Sequence, residues 1–180
     1  MKDVVFVTGN QKKAEYLANL IGHPIEHVNV DLKEIQSLDL KEVVNHKLYQ
    51  AYTKVNRPVL VEDVSLEFTA LGRLPGTLIK WFLEELSAEG LCRLLDGKER
   101  TAIARCVFGY YDGHTETYFE GSMNGTIAEH PSGEKGYGWD SVFIPEGYSG
   151  TRAELSKEDD QKTYLRIKPI DNVRDFLNAD

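Results

Sequence analysis

Cysteine is nearly absent from this chain of 180 residues, with Cys92 and Cys106 the only two. Two widely separated thiols give neither a metal-ligand spacing nor a disulfide framework, so a zinc module and a stapled secreted scaffold are excluded. The expected setting is a reducing cytoplasm. Long hydrophobic runs are also missing. The apolar stretch Val4 to Val7 is too short for a signal-peptide core, and no segment approaches membrane-spanning length. An excess of positive charge is missing too: 21 Lys and Arg face 29 Asp and Glu, a net charge of −8. A general nucleic-acid or membrane-surface binder needs a basic face, so neither partner is expected. A local cluster of lysines that holds one small anion remains compatible with this balance. There is no internal repeat, low-complexity tract or separating linker, so residues 1–180 are expected to form a single domain. At 41% hydrophobic and 28% charged, the chain can build a sizeable core.

The pattern along the chain is α/β. Val4-Val5-Phe6-Val7 is apolar throughout and reads as a central strand covered on both faces. Ala14, Leu17, Leu20 and Ile21 follow at helical spacing, stopped by Gly22 and Pro24. Alternation of Val28, Val30 and Leu32 predicts a second strand. Asp39 caps a predicted helix from Leu40 to Val55, and Pro58 to Val61 reads as a third strand that ends at Glu62-Asp63. Two helical stretches, 77–86 and 88–95, lead into an antiparallel region. That region holds a strand from Ala102 to Tyr111, a turn at Asp112-Gly113, a return strand from Thr115 to Glu120, and a further turn at Asn124-Gly125. Residues 129–140 form a glycine-rich loop, and Ile170, Val173, Phe176 and Leu177 mark a closing helix.

Four constellations carry candidate chemistry. In VFVTGNQKKAEY (5–16), a strand, a tight turn and a helix N-terminus make an anion site from backbone N–H groups. Gly9 permits close approach, Thr8 and Asn10 add hydrogen-bonding groups, and Lys12 or Lys13 puts a cation where the helix dipole disfavours one. The segment also fits a capped helix with a solvated lysine pair. Lys47 lies inside the apolar stripe of the second helix, where it either snorkels to water or aims at an anionic ligand. Glu34, Glu62 and Asp63 follow strands, where α/β sheets gather ligands and where carboxylates suit Mg2+. In the loop, Tyr137, Gly138, Trp139 and Asp140 offer rings to stack on a planar base and a carboxylate to accept its N–H. Two aromatics in a core or surface turn would look the same.

Taken together, these segments resemble the inosine triphosphate pyrophosphatase family over nearly the whole chain. FVTGNQKKAEY (6–16) is similar to its T-G-N-x-x-K phosphate motif, VLVEDVSLEFTALGRLPGTLIKWFLEEL (59–86) to its most distinctive block, and GYGWDSVFIPEGY (136–148) to its base-binding loop. The resemblance implies a curved mixed β-sheet with flanking helices and two lobes around a nucleotide cleft. It also implies a cytoplasmic homodimer, with Mg2+ as cofactor and Mn2+ as a substitute. The implied reaction cleaves ITP, dITP or XTP to the monophosphate and pyrophosphate. By position, Asp63 and Lys13 look catalytic, while Glu34, Asp63 and Glu62 look like the metal set. Thr8, Gly9, Asn10, Lys13, Lys47 and Lys80 look like phosphate contacts, and Tyr137, Gly138, Trp139, Asp140 and Arg166 like the base site.

One segment departs from the family pattern of a lysine followed by Ser-His-Arg. In KEDDQKTYLRIKP (157–169), Arg166 matches the arginine, Tyr164 and Leu165 replace Ser-His, and Asp160 stands in the lysine position. Lys157 or Lys162 could supply the missing cation only with a shifted backbone. Val64 and Arg73 are smaller departures. Two competing readings follow: the same reaction on another modified or ordinary nucleotide, or a nucleotide-binding sensor with weakened catalysis.

Overall fold

The structure, a computed structural model, describes residues 2–22 and 24–179. Strand β1 (Val5–Val7) is buried throughout. Helix α1 (Gln11–Ile21) starts where Asn10 accepts a hydrogen bond from the Lys13 N–H at 3.2 Å. Ala14, Leu17 and Ile21 form its buried stripe, and Gly22 closes it at φ 78°, a left-handed conformation that costs glycine little. Strand β2 (Glu26–Val28) pairs parallel with β1. It lies earlier in the chain than the predicted second strand. Val28 ends that strand opposite Val7, whereas Val30 and Leu32 lie beyond it; all three are partly buried against the core, so the alternation past Val28 reports packing rather than sheet pairing.

Helix α2 (Leu40–Val55) has its predicted limits, because Asp39 accepts from the N–H groups of Lys41 and Glu42. Strand β3 (Val59–Phe68) does not stop at Glu62-Asp63 as the sequence predicts. Its start pairs parallel with β1, Val59 opposite Val5. Its far end, with Ser65, Leu66 and Phe68 buried, pairs antiparallel with β4 (Pro75–Gly76). The two carboxylates therefore sit in the middle of a strand, just past its parallel segment. Helix α3 (Ile79–Arg93) is broken at Ser87, φ 61° and ψ 175°, which matches the two stretches expected there.

Strands β5 (Thr101–Tyr111) and β6 (Glu116–Ile127) flank the Asp112-Gly113 turn, where the Asp112 carboxylate accepts from His114 and Thr115 N–H. The second predicted turn, at Asn124-Gly125, is absent: β6 continues through it and pairs antiparallel with β7 (Phe143–Pro145). Gly125 serves close approach, since a Cβ there would lie 2.3 Å from the Ile144 carbonyl oxygen. Helices α4 (Lys157–Ile167) and α5 (Ile170–Asn178) end the chain. The sheet is mixed, in the order β2-β1-β3-β5-β6-β7 with β4 on β3.

The chain divides into two compact units. The first comprises the chain up to Asp63, Cys106–Glu120 and the chain from Pro169; the second comprises Val64–Arg105 and Gly121–Lys168. In the first unit, strand parity decides what faces what. Val5, Val7, Val59 and Val61 pack with Val107 against Leu40, Val44, Leu48 and Ala51 of α2. Alternation turns Phe6 and Leu60 to the opposite face. Cys92 and Cys106 are both buried, and burial pushes the Cys92 thiol up to about 11, so it acts as an apolar core group rather than a nucleophile.

Leu48 is fully buried in this core. Leu48→Ala is expected to cost about 2–5 kcal/mol through lost contacts and a residual cavity. Urea unfolding should show a lower midpoint with an unchanged slope.

Candidate active site

The turn after β1 is organised by its own side chains. Thr8 Oγ1 accepts from the Asn10 N–H at 3.1 Å, and His27 Nε2 lies 2.7 Å from the Thr8 carbonyl oxygen. A carbonyl only accepts, so the His27 proton is on Nε2. Lys13, in the first turn of α1, forms an ion pair with Glu62 at 3.1 Å, and the Glu62 side chain is 2% exposed. The lysine that the helix dipole disfavours is thus neutralised by a buried carboxylate of β3.

Asp63 follows Glu62 along the strand and so points to the other face, that of α2. There Lys47 places its Nζ 3.1 Å from Asp63 Oδ2 and 3.0 Å from Glu34 Oε1. The lysine in the apolar stripe therefore aims at a carboxylate pair rather than escaping along the helix. Burial lowers the Lys47 pKa, but Asp63 and Glu34 outweigh it and hold the ammonium above its ordinary value. It stays charged throughout the neutral range.

Thr8, Gly9, Asn10, Lys13, Glu34, Lys47, Glu62 and Asp63 all belong to the first unit. Among the described residues, no three His, Cys, Asp or Glu side chains close around a common point. Glu34 and Asp63 nevertheless converge on one cation, the Lys47 ammonium, and both offer only oxygen donors. That donor chemistry fits Mg2+, which is commonly held by one or two carboxylates together with phosphate oxygens.

The remaining expected residues lie in the second unit. Asp140 is buried; its Oδ2 accepts from the Tyr137 N–H at 2.9 Å and its Oδ1 from Arg152 Nη1 at 2.8 Å. Gly136 is required here, at φ 79°, since a Cβ would lie 2.4 Å from Asp140 Oδ2. Gly138 is exposed at φ 66°, and Tyr137 is half-buried. Trp139 is buried, with its ring edge-on to Phe143 at 5.5 Å between centroids, so it anchors the loop in the core. Arg166 is exposed on α4. Lys80 makes local contacts, 4.0 Å from Glu84 and over the Trp81 ring.

Sequence reasoning passed over Arg152. Its side chain is 6% exposed, its Nη2 donates to Asp160 Oδ1 at 2.6 Å, and its Nε donates to Thr163 Oγ1 at 3.3 Å. The available signal was Asp160 itself: an acid in a position where the resemblance implies a lysine calls for a compensating cation nearby. His27 was also passed over, and no sequence signal ties it to the Thr8 turn.

A sequence model of the Ham1 family matches residues 4–176. Inosine triphosphate pyrophosphatase 1 of Trypanosoma cruzi (strain CL Brener) is 45% identical over 172 residues, covering 93% of this chain and 88% of that protein. Inosine triphosphate pyrophosphatase of Yarrowia lipolytica (strain CLIB 122 / E 150) is 41% identical over 180 residues, covering 97% and 95%. Among solved structures, a HAM1 protein from Coxiella burnetii superposes with a TM-score of 0.85 over 98% of each chain at 21% identity, a likeness of fold.

The Lys13–Glu62 pair gives a stability test. Lys13→Met strips a buried carboxylate of its ammonium and is expected to destabilise by about 3–5 kcal/mol. Adding Glu62→Gln should recover most of that loss. A double-mutant cycle in urea measures the coupling, and additive single effects would contradict the pairing.

Proposed function

The chain belongs to the Ham1 family, and we infer from that premise and from its lysine–carboxylate cluster that it is a nucleoside triphosphate pyrophosphohydrolase. Its substrates are the deaminated purine nucleotides ITP, dITP and XTP, cleaved to monophosphate and pyrophosphate. One observation carries this reading: Lys47 bridges Glu34 and Asp63 while Lys13 pairs with Glu62 beside the Thr8-Gly9-Asn10 turn. Two lysine–carboxylate groups, one of them at the N-terminus of α1, suit a triphosphate together with a divalent cation.

In this reading Glu34 and Asp63 hold Mg2+, with Glu62 as neighbouring support and Mn2+ as a substitute. The metal, when bound, neutralises phosphate charge and polarises the phosphoryl oxygens. The turn and the first N–H groups of α1 cradle the phosphates. Lys13 and Lys47 leave their carboxylates for phosphate oxygens and stabilise charge on the departing pyrophosphate. Asp63 accepts the proton of the water that attacks the α-phosphorus. Tyr137 and Asp140 read the base, with Arg166 as a donor to its keto oxygen. We further propose a cytoplasmic homodimer, to which the exposed Leu74, Trp81 and Leu86 lend support.

Pyrophosphate release from ITP, XTP, GTP, ATP and pyrimidine triphosphates tests the reading, with ITP and XTP expected to be preferred. A preference for ATP or a pyrimidine nucleotide would overturn the substrate assignment, and absence of release would overturn the reaction. Asp63→Asn should lower the rate by about 100- to 10,000-fold while leaving the fold intact. Lys47→Ala should weaken ITP and GTP turnover by similar factors; a base-selective change would place Lys47 at the wrong end of the substrate.

A further inference from the structure

Arg152 is a buried cation whose partners all lie in the base-reading loop or on α4. The guanidinium has five N–H groups in a rigid fork, and three of them are directed at Asp140, Asp160 and Thr163. The Tyr164 ring lies 5.5 Å from the guanidinium carbon, and Lys168 Nζ lies 4.9 Å from the centre of the same ring. Tyr164 is itself buried. The residue that departs from the Ser-His pattern is therefore part of the packing that holds Arg152.

We propose that Arg152 is a specificity-determining positioning residue: it holds the Asp140 carboxylate ionised and oriented, and ties the loop to α4 through Asp160. This rests on the reading of the 136–140 loop as the element that meets the base.

The argument turns on the sign of Asp140. An ionised carboxylate is an acceptor only, whereas a protonated one also donates. A 6-oxopurine carries N–H at N1, and adenine carries a bare nitrogen acceptor there. Ionised Asp140 thus favours the oxopurine edge and repels the adenine edge, while protonated Asp140 can serve adenine. Asp140 is buried, and burial pushes its carboxyl above the ordinary range. The charged groups that face it are Arg152, Asp160 and Lys168. Arg152 and Lys168 favour the ionised form, Asp160 opposes it, and the Tyr137 N–H adds a hydrogen bond to the carboxylate. Arg152 makes the direct contact, at 2.8 Å. The contacts also orient the group: with Oδ1 on Arg152 and Oδ2 on the Tyr137 N–H, each oxygen of the carboxylate is held by its own donor.

Arg152→Met and Arg152→Gln remove the charge, and Arg152→Lys retains it. The neutral variants should lower the ITP-to-ATP ratio of kcat/KM by about ten- to hundredfold, mainly through KM for ITP. The loss should shrink as pH rises and Asp140 ionises again, and Arg152→Lys should restore most of the ratio. Inhibition by inorganic tripolyphosphate, which has no base, should not change. In the nucleotide-free protein, the Asp140 side-chain 13C resonance should titrate at higher pH in the neutral variants than in the parent. If one neutral variant does not fold, the other carries the test. A folded neutral variant with the parental ITP-to-ATP ratio and the parental Asp140 titration overturns the proposal. If the parent releases pyrophosphate from no nucleotide, the enzymatic reading fails, and the nucleotide-free titration still decides what Arg152 does.

Discussion

Two adjacent carboxylates in the middle of β3 set the constraint around which the first unit is arranged. Neighbouring residues of a strand point to opposite faces, so Glu62 and Asp63 cannot share one counter-ion from one element. The structure answers with a lysine from each side, Lys13 of α1 on Glu62 and Lys47 of α2 on Asp63. Both helices must be placed by apolar contacts before either lysine can reach its target. Val59 and Val61, four and two residues before Asp63 on the same face, supply those contacts for α2. Placement of the charges is thus a consequence of strand parity and of the α2 stripe.

Such an arrangement is a poor way to gain stability. Desolvating an ion pair roughly cancels its Coulomb gain, and well-packed apolar side chains would serve a core at least as well. Arg152 repeats the pattern in the second unit, where one guanidinium serves Asp140 and Asp160 at 2.8 and 2.6 Å. In each place an acid that the core does not need is paired with a cation brought from another element. Paired and preformed charges of this kind suit a site that must meet charged groups without reorganising.

Much of the fold was legible because it is local. The Asp39 cap and the Leu40–Val55 stripe fixed α2, and the Gly22 stop fixed the end of α1, each within one helical turn of sequence. The errors share a cause: local signals that tertiary contacts overrode. Glu62-Asp63 looked like a strand end because charges seldom continue a buried strand, and their neutralisation by distant lysines is invisible along the chain. Asn124-Gly125 looked like a turn because its glycine could as well answer the closeness of Ile144 and Phe143 across the sheet. The candidate site divides the same way. Thr8, Asn10, Lys13, Lys47 and Asp63 stood out by residue type in the wrong place, whereas Arg152 was silent because its meaning lies wholly in its partners.

The raised pKa of Lys47 shows what the resting cluster can do. Burial alone would drive the lysine towards neutrality, but Asp63 and Glu34 hold it above the ordinary 10.5. Its contribution to stability is therefore fully present below that ordinary value and is lost only as pH rises through the higher folded one. At neutral pH the ammonium is charged and the two carboxylates are its counter-ions. In the proposed reading, Glu34 and Asp63 would hold a divalent cation in the lysine's place, and Lys47 would turn to a phosphate oxygen. Neither exchange on its own would be balanced: without phosphate the ammonium would face like charge, and without a metal Asp63 and Glu34 would lose their cation. Charge balance among Lys47, Glu34 and Asp63 would therefore favour taking both together, as the proposed reaction requires.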